Sequence, residues 1–388
     1  MTLSKTVQSA ELVHPRMPNN KKNLKIFVIA GEVSGDVLGE KIMREMSDAQ
    51  FIGIGGENMQ SAGLRTLFPI SDLSVMGLLE VLANVRTLTA RINQTVDAII
   101  DSRPDIVLTI DSPSFAMRVI KKVRALSPEN KLPKFYHVVA PQVWAWGAER
   151  AKKYAAIFDK LYAFFDFEAP YFTKYGLPVV TVGHPIADNL HPVPRQMNST
   201  EQNIALIPGS RMSEVKKLLP LMKAAAEQIC HQNPDIWYNF YIPVVETTKK
   251  YIECETANWC KKPVLVSSTD RYDLYKKTDI AIAASGTVTV ELAIMHVPTI
   301  VVYKMNAITT WVARRIVKTK WVSLVNILLN RAVYPELLGS DATVENIVGA
   351  INNLSDPDVR KKMISDLSAA DKMWHRDRAA GKIIAENI

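Results

Sequence analysis

Cysteine is scarce: Cys230, Cys254 and Cys260 are the only three in 388 residues. An odd, sparse count excludes a disulfide scaffold and fits a reducing compartment such as the cytoplasm. Their spacing matches no zinc pattern, so they read as core or surface thiols. Long apolar runs are missing too, and none reaches the ~18 residues that suggest a membrane span. Residues 1–23 carry Pro15, Pro18, Lys21 and Lys22 without an apolar stretch. A disordered leader is therefore expected there, not a secretory signal. The shortage of negative charge is moderate: 39 Asp and Glu against 47 Lys and Arg give a net +8. This favours anionic partners such as a phosphorylated substrate, nucleic acid or an acidic membrane surface, without choosing among them. No nucleic-acid module signature is present, and no nucleic-acid partner is expected.

What is present is ordinary for a globular protein. Apolar residues make up 48% and charged residues 22%, which excludes disorder, collagen or coiled coil as a description of the whole chain. At roughly 150 residues per domain, the length predicts two or three domains. Short apolar runs at 26–30, 106–110, 135–139 and 161–164 alternate with amphipathic stretches at 36–46, 85–102 and 114–126. Uninterrupted apolar runs suit strands buried on both faces of a parallel sheet. Strand followed by helix, repeated, predicts a doubly wound α/β domain over 24–184.

The pattern then restarts. Residues 185–202 hold Pro185, Pro192 and Pro194 and a polar stretch, and read as a linker. A second α/β domain is expected over 203–355, with strands at 204–207, 238–242, 264–266, 280–284 and 299–303 and a helix near 213–231. Residues 356–388 are left as C-terminal helices. Two Rossmann-like halves in tandem face a central cleft, the default ligand site of such sheets.

Several turns could carry chemistry. Gly209, Ser210 and Arg211 follow a strand and precede a helix. Backbone N–H groups at a helix start favour an anion, and Arg211 adds a forked donor. The alternative is a tight turn with a solvated Arg. Ser285, Gly286 and Thr287 repeat the arrangement, with N-cap residue types and room for a diphosphate. Glu291, one turn on, could accept from ribose hydroxyls; a plain helix cap is the alternative. Asp111 follows a buried strand, where a carboxylate facing the cleft can act as a general base or merely cap the next helix. The turn after the first strand, Gly31 to Asp36, departs from the dinucleotide fingerprint. Two stretches look like surfaces. Residues 73–82 are apolar nearly all round, a buried helix or a lipid-facing one. Residues 311–321 mix Arg314, Arg315, Lys318 and Lys320 with two tryptophans, suiting a membrane surface or a solvated helix.

The ordered set of short motifs is specific. It comprises Ala30-Gly31-Glu32-Val33-Ser34-Gly35-Asp36, Gly53-Ile54-Gly55-Gly56, Val75-Met76-Gly77 with Glu80-Val81, and Val143-Trp144-Ala145-Trp146. It continues with Gly183-His184-Pro185, Pro208-Gly209-Ser210-Arg211 with Ser213-Glu214, Ser285-Gly286-Thr287 and Ser323-Leu324-Val325-Asn326. From about Lys25 to Ala342 the chain resembles the lipid-A-disaccharide synthase family. Small departures are Ala140-Pro141-Gln142 before the tryptophan motif, Val325 before Asn326, and Val288 and Val290.

The resemblance implies a GT-B glycosyltransferase. Such an enzyme would transfer 2,3-diacylglucosamine from UDP-2,3-diacylglucosamine to 2,3-diacylglucosamine 1-phosphate. It would invert the anomeric centre, giving a β-1,6-linked disaccharide 1-phosphate and UDP. No cofactor or metal is expected. The resemblance implies Asp111 as base and Gly209, Ser210, Arg211, Ser285, Gly286, Thr287, Glu291 and Asn326 on the donor side. Glu32, Ser34, Met76 and Leu79 fall on the acceptor and lipid side. Residues 311–321 would meet an anionic membrane, placing the protein peripherally at the inner face of the inner membrane. C-terminal helices crossing back to the first domain and a homodimer are further implications. A sugar-nucleotide epimerase and a non-enzymatic lipid-binding protein are the rival readings.

Overall fold

The apolar runs form two all-parallel sheets. The computed structural model describes residues 24–73, 85–127, 131–194, 200–304 and 319–388. In the first half the elements are β1 (Lys25–Ala30), α1 (Val33–Glu45), β2 (Gln50–Ile54), α2 (Glu57–Ser61), β3 (Arg65–Thr66) and α3 (Val85–Ser102). They continue as β4 (Ile106–Ile110), α4 (Pro113–Leu126), β5 (Lys134–Val138), α5 (Arg150–Ala155), β6 (Lys160–Ala163), α6 (Ala169–Thr173) and β7 (Val179–Thr181). The strand order is β3-β2-β1-β4-β5-β6-β7. All five residues of β4 are buried, which is why its run shows no polar alternation. α3 spans the predicted residues, and its apolar stripe lays Ile92, Val96 and Ile99 into the core.

The second half opens with β8 (Glu201–Ile207), so Glu201 and Gln202 belong to the sheet and not to a linker. Then come α7 (Met212–Gln232), β9 (Trp237–Val244), α8 (Glu246–Thr256), β10 (Val264–Ser267), α9 (Arg271–Lys277), β11 (Ile280–Ala284), α10 (Val288–Ile294) and β12 (Thr299–Tyr303). α11 (Leu324–Leu329), β13 (Glu336–Leu338), α12 (Val344–Ser355), α13 (Pro357–Ala369), α14 (Asp371–Trp374) and α15 (Ala380–Glu386) complete the chain. The strand order is β10-β9-β8-β11-β12-β13.

Only part of 356–388 crosses back. Met363, Leu367, Ala370 and Trp374, from α13 and α14, sit in the second half's core. α15 enters the first half's core: Ala380, Ile384 and Ala385 pack with Ile26, Val28 and Ile42. The amide of Ala380 donates to Asp188 at 3.2 Å, and the Tyr162 hydroxyl donates to the Asn387 carbonyl at 2.8 Å. The crossing runs over the Gly183-His184-Pro185 motif. The His184 amide donates to the Trp374 carbonyl at 3.0 Å, and Phe165 meets the Trp374 ring edge-on at 5.8 Å.

Both sheets change direction of winding once, between β1 and β4 and between β8 and β11. Strands diverge into opposite connections at such a point, leaving a crevice beyond their carboxyl ends. The cleft of about 870 Å³ lies there, lined by residues of both halves.

Candidate active site

The first wall is built from strained turns. Asp111 (φ 58°) and Ser112 (φ 45°) leave β4 in the left-handed region, as does Val139 (φ 79°) after β5. Such conformations cost of order 1–3 kcal/mol each in a residue with a side chain. Asp111 accepts the Ser112 amide at 2.8 Å through Oδ1 and donates its own amide to Val138 at 3.1 Å. Gly31 makes the neighbouring β1 turn possible, because a Cβ there would collide with the Ser112 side chain. Asp111, Val139 and Ser34 line the cleft. Beside them the Glu32 carboxyl is raised above its ordinary range, first by burial and then by the charge of Asp111, with Arg211 opposing. Arg211 belongs to the other half, so its field crosses the cleft to the first wall.

The second wall is the β11–α10 turn. Ser285, Gly286, Thr287 and Glu291 all line the cleft. Thr287 holds the N-cap position of α10 without a side-chain cap, so its hydroxyl is not spent as a helix cap. A Cβ built at Gly286 would meet nothing within 4 Å, which leaves room in front of the turn. Glu291 is buried and forms a fork with Arg271, a residue that sequence reasoning missed. Arg271 Nε lies 3.1 Å from Oε2 and Nη2 lies 3.1 Å from Oε1. Arg271 and Tyr272 line the cleft as well.

The β8–α7 turn sits at the edge of this wall, and its residues do not line the cavity. Gly209 needs its φ of 106°, and a Cβ there would run into Glu214. Arg211 lies 3.0 Å from Glu214, with its side chain 62% exposed.

Asn326 requires a correction. It is fully buried, and its amide is consumed by its own loop. Nδ2 donates to the Tyr334 carbonyl at 2.8 Å and to Glu336 at 2.9 Å. Oδ1 accepts the amides of Val333 and Tyr334, both at 2.8 Å. A side chain with its donors and acceptor filled holds the loop before β13 and has nothing left for a donor substrate.

The tryptophan motif reaches the cleft through Trp144, whose indole donates to Glu168 at 3.3 Å. Glu168 also accepts the Phe165 amide at 3.1 Å, and burial pushes its carboxyl up to about 7. Sequence reasoning missed Glu168, because its three-residue helical turn carries no motif. Val33, Val37 and Val322 are exposed by 71%, 40% and 42% and give the cleft an apolar lining.

Met76, Leu79, Arg314, Arg315 and Lys318 lie outside the described residues. Lys320 is described and exposed, with its ammonium 4.8 Å from the Trp321 ring centre. Among the described residues no helix is long and apolar enough to cross a membrane. No group of three or more His, Cys, Asp or Glu among them could hold a metal ion.

Comparison with known proteins identifies the family. Solved structures share the fold at low identity. MurG of Acinetobacter baumannii has a TM-score of 0.59 at 14% identity, over 94% of this chain and 99% of that one. The UDP-GlcNAc 2-epimerase of Methanocaldococcus jannaschii, solved with UDP-GlcNAc and UDP, has a TM-score of 0.58 at 13% identity over the same shares. These establish a GT-B-type architecture and no more. Sequence relatives are nearer. The lipid-A-disaccharide synthase of Rhodospirillum centenum is 36% identical over 89% of both chains. That of Rickettsia canadensis is 34% identical over 94% of this chain and 96% of its own. A family model described as lipid-A-disaccharide synthetase matches residues 26–387, spanning both sheets and the returning helix α15. With both walls of the cleft inside that match, the chain belongs to the lipid-A-disaccharide synthase family.

Proposed function

We propose that the cleft joins two acylated glucosamines, with the acceptor on the first wall and the nucleotide on the second. As a family member the chain is a glycosyltransferase of lipid A biosynthesis. Its donor is UDP-2,3-diacylglucosamine and its acceptor 2,3-diacylglucosamine 1-phosphate. The observation that carries the assignment of walls is the facing of the two switch points across one cleft. Asp111 stands on one side and the Ser285–Glu291 turn on the other.

That arrangement suits inversion. The acceptor hydroxyl attacks the anomeric carbon from the face opposite the departing diphosphate. Asp111 takes the hydroxyl proton as the new C–O bond forms and the bond to the diphosphate oxygen breaks. UDP leaves with the bonding pair, and donors placed where that charge develops speed the step. Arg211 is the proposed cation. Its exposed pair with Glu214 is worth at most about 1 kcal/mol, so a diphosphate competes for it readily. Ser285, Gly286 and Thr287 bring backbone close to the nucleotide, and Glu291 accepts from the ribose. A guanidinium and backbone N–H groups supply the stabilisation without a metal, so turnover is expected to persist in EDTA.

Val33, Val37 and Val322 offer apolar surface to acyl chains at the cleft. Peripheral attachment at the inner face of the inner membrane, with 73–82 entering lipid and 311–321 meeting anionic headgroups, is part of the proposal, as is a homodimer. Exposed cations are screened by salt, so sedimentation with anionic vesicles should fall as salt rises. The test of function is UDP release followed by the mass of the lipid product. Transfer requires both lipid substrates together. Turnover with the UDP-sugar alone would support an epimerase, and no release at all would leave a binding protein.

A further inference from the structure

Glu291 is more tightly held than a ligand-binding carboxylate needs to be. Arg271 Nε and Nη2 grip its two oxygens at 3.1 Å each, and the Tyr272 hydroxyl donates to Oε1 at 3.3 Å. The same Nη2 reaches the Tyr272 oxygen at 2.6 Å. Nη1 donates to the Ser268 carbonyl at 2.6 Å, anchoring the guanidinium to the turn before α9. Its plane also lies over the Tyr272 ring, 4.2 Å from the centre. An ionised carboxylate has about four acceptor sites. Three are taken here, on a side chain that lines the cleft.

We infer that Arg271, braced by Tyr272, is a positioning residue that fixes the Glu291 carboxylate so that its remaining acceptor site meets a ribose hydroxyl of a uridine nucleotide. This rests on the reading of the second wall as the nucleotide site. Two physical effects act together. The fork removes the rotational freedom of the carboxylate, so little ordering is left to be lost when the nucleotide arrives. It also neutralises a buried negative charge near the proposed diphosphate, where an unpaired carboxylate would repel the ligand. Burial works against the charge of Arg271, and its hydrogen bond and attraction to Glu291 outweigh that, so the guanidinium stays protonated beside its partner.

The experiment compares UDP with 2′,3′-dideoxyuridine diphosphate by titration calorimetry on the full chain. The wild type is expected to prefer UDP by roughly ten- to hundred-fold, the range for hydrogen bonds to a charged group. Arg271→Lys keeps the charge and loses the planar fork. Its affinity for the dideoxy nucleotide should stay near the wild-type value, and its preference for UDP should fall towards unity. Tyr272→Phe removes one donor and should lower the preference by a smaller factor; it carries the test if the lysine variant fails to fold. Equal loss of both nucleotides, or an unchanged preference in both variants, overturns the positioning role. A wild type that binds UDP without discrimination overturns the ribose contact and this inference with it. A wild type that binds no UDP overturns the functional reading itself.

Discussion

The two walls of the cleft are built in opposite ways. On the first, Asp111, Ser112 and Val139 hold left-handed backbone at the ends of β4 and β5. On the second, the β11–α10 turn needs no such residue. Among the described residues the other non-glycine positions with positive φ, Arg103, His296 and Asn330, do not line the cleft. The second wall is organised by side chains instead, through the fork between Arg271 and Glu291. The difference follows from the proposed tasks. A base must stand at one angle to one hydroxyl, and backbone strain that the surrounding sheet enforces is one way to fix it. A nucleotide offers many contacts, so its wall can be an ordinary helix start with polar side chains set around it.

The largest expected effect lies on the strained wall. Asp111→Asn preserves shape and removes the base, so initial rates should fall by ~10²–10⁴. Near-normal turnover would take Asp111 out of that role and blur the distinction between the walls.

Asn326→Ala asks whether a buried polar group of the second half belongs to the wall or to the scaffold. It would strand the amides of Val333 and Tyr334, now both bonded at 2.8 Å, at about 1–3 kcal/mol each. The melting temperature should drop by several degrees, and UDP affinity of the folded protein should change less than two-fold, roughly. A selective loss of UDP affinity would return Asn326 to the donor site.

Arg211→Ala should weaken donor use about ten-fold or more, by loss of a charge-assisted hydrogen bond, and leave acceptor use nearly unchanged. Varying each substrate separately reads this. A defect confined to the acceptor would move Arg211 to the other wall, whose Glu32 already feels its charge.

The last comparison concerns stability and Glu168. Its carboxyl titrates near 7 in the folded protein, chiefly through burial, against about 4.3 in an unfolded chain. Between these values the folded state binds more protons than the unfolded one, so stability falls as pH rises. Melting curves from pH 5 to 8 should therefore decline more steeply for the wild type than for Glu168→Gln. Parallel curves would remove Glu168 as the source.

The sequence made the sheets legible because strands buried on both faces leave unbroken apolar runs, as in β4, β11 and β12. The turns after β1, β4, β8 and β11 were legible for a related reason: small or capping residues follow a strand directly. Arg271 was not, because it meets Glu291 across 20 residues of chain and the pairing depends on where the fold brings the start of α9. Nor was the saturation of Asn326, which is a property of the loop around it and leaves no mark on the motif. The run at 135–139 was read one residue too long, since Val139 departs from the strand into its strained conformation. The helix near 36–46 begins earlier, at Val33, because exposed Val33 and Ser34 hide the start of its buried face.

The most direct test of the central claim, chemistry on one wall and nucleotide on the other, is the UDP affinity of Asp111→Asn. Titration calorimetry on the folded variant that has lost turnover should give a dissociation constant within about two-fold of wild type, because removing a transition-state base leaves ground-state nucleotide binding in place. A loss of UDP affinity comparable to the loss of rate would mean that Asp111 belongs to the nucleotide site, and would contradict the division of the cleft.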